Sequence, residues 1–242
     1  MIPKIIHYCW FGRGPKPVEA QNFINGWSRL HPDFRIVEWN EDNFDINCCP
    51  YVQQAYERKK FAFVSDYARG VALLNEGGVY LDTDVELIGR LDLFLRHEAF
   101  FGFEEGNLIA TSIIGCSPSH PIIKSYLDQY HDRSFIKPDG TVDMTTNVTV
   151  MTRLLTGYGL QLDGKAQELG TGIFCYPKQY FSPLDYIRFI DHRDASTIAI
   201  HHYHHTWGGS VARLKKRLRR LLSAIFESAA IECFRRLCAK VF

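Results

Sequence analysis

Asp82 and Asp84 stand one residue apart at the end of a short apolar run, in the stretch GGVYLDTDVE at positions 77–86. Carboxylate oxygens are hard ligands, and two of them on one side of the chain can share Mg²⁺ or Mn²⁺. If Val79-Tyr80-Leu81 is a strand that runs on, alternation puts Tyr80, Asp82 and Asp84 on one side and Val79 and Leu81 in the core. An isolated D-x-D is more often a polar turn, because aspartate is a common turn former. The surroundings shift that balance. Asp66 and Arg69 lie sixteen and thirteen residues before Asp82, at i, i+3 on an apolar helical stretch, and so share a face. A surface ion pair would contribute little. A pair lining a cleft could grip the hydroxyl groups of a polar ligand.

Downstream, four histidines fall within five residues: His201, His202, His204 and His205. Zinc would want further Cys or His ligands at a defined spacing, and none is evident. One imidazole can instead complete a carboxylate-bound Mn²⁺ site, with the other rings capping a loop. Trp207, followed by Gly208 and Gly209, reads as a mobile aromatic flap. Near the start, Tyr8, Trp10 and Phe11 follow or end an apolar run. Rings at the mouth of a sheet can stack on a base, although Tyr8 and Phe11 suit core packing.

These side chains need a frame. Lys4–Trp10 predicts a buried strand and Phe34–Trp39 a second one. Tyr51–Asn75 carries Phe61, Val64, Ala68, Val71 and Ala72 at helical spacing, and Gly77-Gly78 supplies the stop. Further strands are predicted at 79–81, 99–103, 108–114 and 196–203. Helices are predicted at 120–129, opened by Pro121, and at 144–155. Strands alternating with helices imply an α/β domain with a mostly parallel central sheet, and ligands of such sheets bind beyond the carboxyl ends of the strands.

The chain has 242 residues, 46% of them hydrophobic, enough for a substantial core. Its net charge of +1 is unevenly spread. Residues 211–242 hold nine Lys and Arg against two Glu, or +7, which leaves −6 on the other 210 residues. Leu214, Leu218, Leu221, Leu222, Ile225 and Phe226 fall on one stripe there, with Arg213, Lys216, Arg217 and Arg220 mainly opposite. This predicts one or two basic amphipathic helices appended to a catalytic domain at 1–210, at an anionic membrane surface in preference to the alternative of packing on the domain with a solvated basic face. Basic residues confined to one terminus, away from the aromatic sites, argue against nucleic-acid binding. Seven cysteines with no C-x-x-C suggest free thiols in a reducing compartment. The apolar run near the N-terminus is too short for a signal peptide, and no apolar stretch approaches the roughly 18 residues of a membrane span.

Taken in order, IPKIIHYCWFG, SDYARGVALLNEGGVYLDTDVE and AIHHYHHTW resemble glycosyltransferase family thirty-two. These are DXD sugar-binding enzymes of bacterial capsule and O-antigen synthesis and of yeast mannan synthesis. The glucosyltransferase domain of clostridial toxins is a more distant look-alike. The resemblance runs over residues 1–207 and implies a GT-A fold, a Rossmann-like nucleotide-sugar-binding domain. It implies that Trp10 stacks on the base of a nucleotide sugar, most often UDP-linked, and that Tyr80 makes a nucleotide-side contact. Asp82 would hold ribose and metal, Asp84 the metal, and His202, with His201 next in order, the third metal position. Asp66 and Arg69 match the pair that grips the donor sugar, and Asn147 is a looser match near the reacting carbon. Thr206 and Trp207 match a Ser-Trp pair that closes on the diphosphate. The resemblance further implies Mn²⁺ or Mg²⁺, retention of anomeric configuration and, with the basic tail, a lipid-linked oligosaccharide acceptor at the cytoplasmic face of a bacterial membrane.

Two other readings compete. A metal-dependent phosphodiesterase or nucleotidyltransferase would want more clustered acids, and Glu86 is the one close by in sequence. A non-catalytic carbohydrate- or membrane-binding module would not need Asp82 and Asp84.

Overall fold

The computed structural model describes residues 1–170, 172–185 and 190–203. In chain order the elements are β1 (Ile5–Cys9), α1 (Val18–Leu30), β2 (Arg35–Trp39), α2 (Pro50–Glu57), α3 (Phe61–Glu76), β3 (Gly78–Leu81), β4 (Val85–Leu87), β5 (Ala99–Phe103), β6 (Ile109–Cys116), α4 (Pro121–Asp128), α5 (Asn147–Gly157), β7 (Gln167–Leu169), β8 (Ile173–Tyr176), β9 (Leu184–Asp185), β10 (Ile190–Asp191) and β11 (Ala199–His201). A seven-stranded sheet has the order β2-β1-β3-β6-β5-β8-β7. Strands β1, β2, β3, β5 and β8 run one way; β6 and β7 run against them. The sheet is therefore mostly parallel, with the antiparallel β6 inserted between β3 and β5.

Both faces are covered, which is why the central strands read as continuous apolar runs. On one face α2, α3, α4 and α5 pack through Tyr51, Val52, Val64, Ala68, Ile122, Tyr126, Val150 and Met151 onto Tyr80, Phe101, Phe103 and Ile114. On the other, Trp27 of α1 joins Val79, Leu81, Val85, Phe100 and Phe181. The Trp27 indole donates to the Val85 carbonyl at 2.9 Å, tying α1 to β4. A separate two-stranded ribbon pairs β4 with β11, antiparallel, on this second face.

Three local results differ from the sequence reading. The helical stretch 51–75 is two helices. Lys60 N–H donates to the Ala55 carbonyl and Lys59 N–H to that of Tyr56, with Lys59 at φ +56°. This is a Schellman ending with lysine where glycine is usual, so no glycine marked the stop. Helix α1 went unpredicted, although Ala20, Phe23, Ile24 and Trp27 have helical spacing and Pro17 precedes them. Helix α5 begins at Asn147 rather than 144, because the Thr146 hydroxyl caps it by accepting from Thr149 N–H at 3.2 Å.

The turn from α3 into β3 does require glycine. Gly78 sits at φ +101°, and a Cβ there would lie 2.7 Å from the Ile5 carbonyl oxygen and 3.2 Å from His7 Nε2. That close approach lets β3 pair with β1 at Ile6–Val79 and His7–Tyr80, which sets the height at which Asp82 leaves the sheet.

Candidate functional site

The site gathers at the carboxyl ends of β1, β3 and β5. Asp82 and Asp84 are not on a strand: β3 ends at Leu81 and β4 begins at Val85. They occupy the tight turn between, closed by Val85 N–H donating to the Asp82 carbonyl at 3.0 Å. The turn is pinned to the sheet by Asp82 N–H donating to the Ser112 carbonyl at 2.9 Å. The polar-turn reading and the ligand-site reading thus describe one object. The carboxylates converge through the turn and not through strand alternation.

The third member comes from 117 residues further on. Within the β4–β11 ribbon, His201 pairs with Val85, and His202 N–H donates to the Asp84 carbonyl at 3.0 Å. His201 Nε2 lies 3.3 Å from Asp84 Oδ1. One ligand atom each from Asp82, Asp84 and His201 fit within 4.8 Å of one another. His202, first choice on sequence, points elsewhere. Its Nε2 meets Glu86 Oε2 at 2.9 Å and its ring stacks on Phe23 at 5.0 Å. The order of preference between the two histidines is therefore reversed, because neighbouring residues on a ribbon face opposite ways. Two hard carboxylates and one imidazole suit Mn²⁺ or Mg²⁺. His201 Nδ1 is buried without a hydrogen-bond partner among the described residues. Burial works against charge on this ring, but Asp84, with Asp82 and Glu104, outweighs it and raises the His201 pKa.

On the helical side of the sheet, Asp66 and Arg69 are buried. Arg69 Nη2 donates to Asp66 Oδ1 at 2.9 Å and lies 3.4 Å from Asp82 Oδ1. Its Nη1 donates to the Thr111 carbonyl at 2.7 Å, and its guanidinium sits 4.5 Å from the Tyr80 ring centroid. This is no surface pair: every face of the arginine is answered, as a buried charge demands. Asn147, the first residue of α5, donates Nδ2 to Asp66 Oδ1 at 2.6 Å across 81 residues of sequence. Burial pushes the Asp66 carboxyl up to about 7, against the pull of Arg69. Tyr80 is also buried, and its hydroxyl donates to Asp82 Oδ1 at 2.9 Å. Asp66, Arg69, Tyr80, Asp82 and Asn147 thus form one connected network beside the Asp84–His201 pair.

Trp10 follows β1 at the same end of the sheet. Its backbone N–H donates to the Trp39 carbonyl at 2.9 Å and its indole Nε1 to the Gly14 carbonyl at 2.7 Å, so the ring is held on the loop. Tyr8 and Phe11 are core residues. Thr206 and Trp207, His204 and His205, and the basic tail 211–242 lie outside the described residues.

Sequence reasoning missed three contributors. Thr111 supplies the backbone acceptor for Arg69. The Tyr126 hydroxyl on α4 donates to the Asp66 carbonyl at 2.8 Å. Glu104, the first residue after β5, has Asp82 and His201 as its charged neighbours; burial, with Asp82 and Glu105 adding to it, pushes its carboxyl up to about 7 despite His201. An acid directly after an all-apolar strand was the signal available for Glu104.

Residues 17–101 match the family described as a glycosyltransferase sugar-binding region containing a DXD motif. That segment holds Asp66, Arg69, Tyr80, Asp82 and Asp84, and it stops short of Asn147 and His201. Among solved structures, PaToxG glycosyltransferase superposes with a TM-score of 0.50 at 18% identity, over 64% of this chain and 69% of its own. The fold is that of a GT-A glycosyltransferase. An uncharacterised glycosyltransferase of Acanthamoeba polyphaga mimivirus is 28% identical over 157 residues, 61% of either chain. Inositol phosphoceramide mannosyltransferase 3 of Schizosaccharomyces pombe is 30% identical over 126 residues, half of this chain and 35% of its own length. The chain thus spans well under two thirds of the fission-yeast relative and somewhat under two thirds of the viral one.

Proposed function

We propose that this chain is a metal-dependent retaining glycosyltransferase. It would move a hexose or N-acetylhexosamine from a nucleotide sugar, UDP-linked by preference, to a lipid-linked oligosaccharide in bacterial surface polysaccharide synthesis. The observation that carries the reading is the convergence of Asp82, Asp84 and His201 beside the buried Asp66–Arg69–Asn147 network at the carboxyl end of a GT-A sheet. Asp82, Asp84 and His201 would hold the divalent ion, which when bound neutralises charge on a departing diphosphate. Arg69 and Tyr80 hold Asp82 from the side facing Asp66, keeping that carboxylate oriented. In this reading Asp66 and Asn147 would exchange hydrogen bonds with donor-sugar hydroxyls, and Trp10 would stack on the base.

Nothing among the described residues is proposed as a nucleophile. The acceptor hydroxyl is proposed to attack from the face that the diphosphate leaves, losing its proton to a diphosphate oxygen. Trapping a glycosyl adduct on any Asp or Glu would refute that step. Membrane association through residues 211–242, at the cytoplasmic face, belongs to the same proposal. For a phosphodiesterase reading, Glu86, the extra acid it would recruit from the sequence, is already paired with His202.

A second reading has its own support: the fission-yeast relative is named for mannosyl transfer to inositol phosphoceramide. It would change the donor to a mannosyl nucleotide and the acceptor to a lipid-borne phosphoinositol. One experiment separates the two. UDP-, GDP- and dTDP-sugars are screened with Mn²⁺ for hydrolysis and thermal shift on the wild type and on Asp82→Ala and Asp84→Ala. Turnover of a UDP-sugar that both variants abolish supports the first reading, and GDP-mannose turnover the second. Silence across the panel overturns both.

A further inference from the structure

Helix α5 brings Asn147 to Asp66, yet the residues just before it have no seat in the core. Met144, Thr145 and Thr146 are exposed, and Asn147 is buried. Thr146 caps the helix locally, and Val150 and Met151 anchor its body. Neither fixes the backbone that enters the first turn. Arg133, in the long connection from α4 to α5, does. Its Nε donates to Asp143 Oδ2 at 2.6 Å and its Nη2 to the Thr145 carbonyl at 2.9 Å. Asp143 Oδ1 accepts from Thr145 N–H at 3.0 Å, and Asp143 N–H donates to the Phe135 carbonyl at 2.7 Å. One ion pair therefore engages both backbone groups of Thr145, two residues before Asn147. The Arg133 and Asp143 side chains are only 13% and 12% exposed, so this is not a solvent-screened surface pair.

The guanidinium also rests on aromatic rings. Its central carbon lies 4.8 Å from the Tyr51 ring centroid and 5.1 Å from that of Tyr130. Both rings are fully buried and meet edge to face at 4.9 Å. Tyr126 gives its one hydroxyl proton to the Asp66 carbonyl, so Tyr130 is the donor in the 2.9 Å contact between the Tyr126 and Tyr130 hydroxyls. The contacts close a circuit. From Arg133, one arm runs through Tyr130 and Tyr126 to the backbone of Asp66. The other runs through Thr145 to Asn147, whose Nδ2 donates to Asp66 Oδ1 at 2.6 Å. Arg133 stands where the arms meet, without a hydrogen bond of its own to Asp66 or Asn147. A lysine could still pair with Asp143, but it lacks the planar fork that reaches Thr145 while lying on two rings.

We propose that Arg133 is a positioning residue for the donor sugar: it fixes the backbone at Thr145 so that Asn147 meets Asp66 in the geometry that reads sugar hydroxyls. The assignment rests on the transferase reading, in which Asp66 and Asn147 contact the sugar, and it separates recognition of the sugar from recognition of the nucleotide.

The test uses the full chain with Mg²⁺ and five probes: UDP, UDP-glucose, UDP-N-acetylglucosamine, GDP and GDP-mannose. Affinities are read by calorimetry. At least one nucleotide sugar should bind the wild type. Arg133→Met should weaken it about tenfold, as loss of one hydrogen bond to the sugar predicts, and should leave the matching diphosphate within about twofold. Arg133→Lys should fall between, because the Asp143 pair survives and the Thr145 bond does not; it is also the variant to read where methionine prevents folding. In an Asn147→Ala background, itself about tenfold weaker for the sugar, Arg133→Met should add less than about twofold, because the two residues act as one unit. Unchanged nucleotide-sugar affinity in the Arg133 variants would overturn the proposal. So would an equal loss of diphosphate affinity, or a full tenfold effect that persists without Asn147. A wild type that binds no member of the panel would sink the transferase reading and this assignment together, whereas unaltered variants of a wild type that does bind would sink this assignment alone.

Discussion

Replacing Tyr80 by phenylalanine removes one oxygen atom and tests the whole arrangement. The ring is buried and stacks under the Arg69 guanidinium at 4.5 Å, and both features survive the change. What is lost is the hydroxyl that donates to Asp82 Oδ1 at 2.9 Å. A hydrogen bond to a charged group contributes about 1.5–3 kcal/mol, and an outer partner of a metal ligand typically changes metal affinity by about 10- to 100-fold. Arg69 Nη2 remains 3.4 Å from the same oxygen, so the effect should fall near the lower end, about tenfold. Fold stability should change by about 1 kcal/mol or less, since a partner for Asp82 is retained. Mn²⁺ affinity in the presence of UDP is measured by calorimetry, and stability by urea denaturation without metal. An unchanged Mn²⁺ affinity would refute the claim that Tyr80 orients a metal-binding carboxylate. A stability loss of several kcal/mol with metal binding intact would refute it equally.

Three further outcomes follow from the geometry. His201→Ala should weaken Mn²⁺ binding by roughly 10- to 100-fold, whereas His202→Ala should leave it nearly unchanged, because a partly exposed His–Glu pair contributes only about 0–1 kcal/mol of stability; the reverse ranking in calorimetry would return the third ligand to His202. Burial pushes the Asp143 carboxyl up, but Arg133 at 2.6 Å and the Thr145 N–H outweigh it and hold the carboxyl at about 2, below the ordinary 3.8. That stabilisation is present above pH 4 and is lost as pH falls towards 2, so Asp143→Asn should flatten the acid limb by about 2 kcal/mol in denaturation curves; superimposable limbs would contradict it. At neutral pH, iodoacetamide should label Cys49 before Cys9, Cys116 or Cys175: the Cys48 thiol and the amides of Val52 and Tyr51 lower the Cys49 pKa, whereas burial raises the others, to about 12 for Cys9 and Cys175. Peptide mass spectrometry reads the order, and faster labelling of any buried thiol would count against it.

What was legible in the sequence was local. Apolar runs marked β1, β3, β5 and β6, because strands covered on both faces have nowhere to put polar residues, while alternation along RIVEW marked the partly exposed edge strand β2. Helical spacing placed Asp66 and Arg69 on one face of α3, and their burial followed from the apolar stretch around them. The break between α2 and α3 was hidden, since a Schellman turn closed by Lys59 carries no glycine. Helix α1 was readable at Ala20, Phe23, Ile24 and Trp27, yet the polar residues between them masked it.

The amino-acid sequence by itself determined which side chains could do chemistry: a D-x-D after an apolar strand, an Asp and Arg one helical turn apart, and imidazoles near the end of the described chain. Only the tertiary structure decided how they combine. Asn147 reaches Asp66 because α5 packs beside α4 and β6, and nothing in the 81 intervening residues announces it. His201 rather than His202 faces Asp84 because β11 registers on β4 at Val85. That register is set by long-range pairing, and a slip of one residue would exchange the two rings. Asp82 and Asp84 converge in a turn because β3 stops at Leu81 where β6 still supports it, not because a strand carries them. Local spacing named the candidates; pairing between distant strands chose which of them meet.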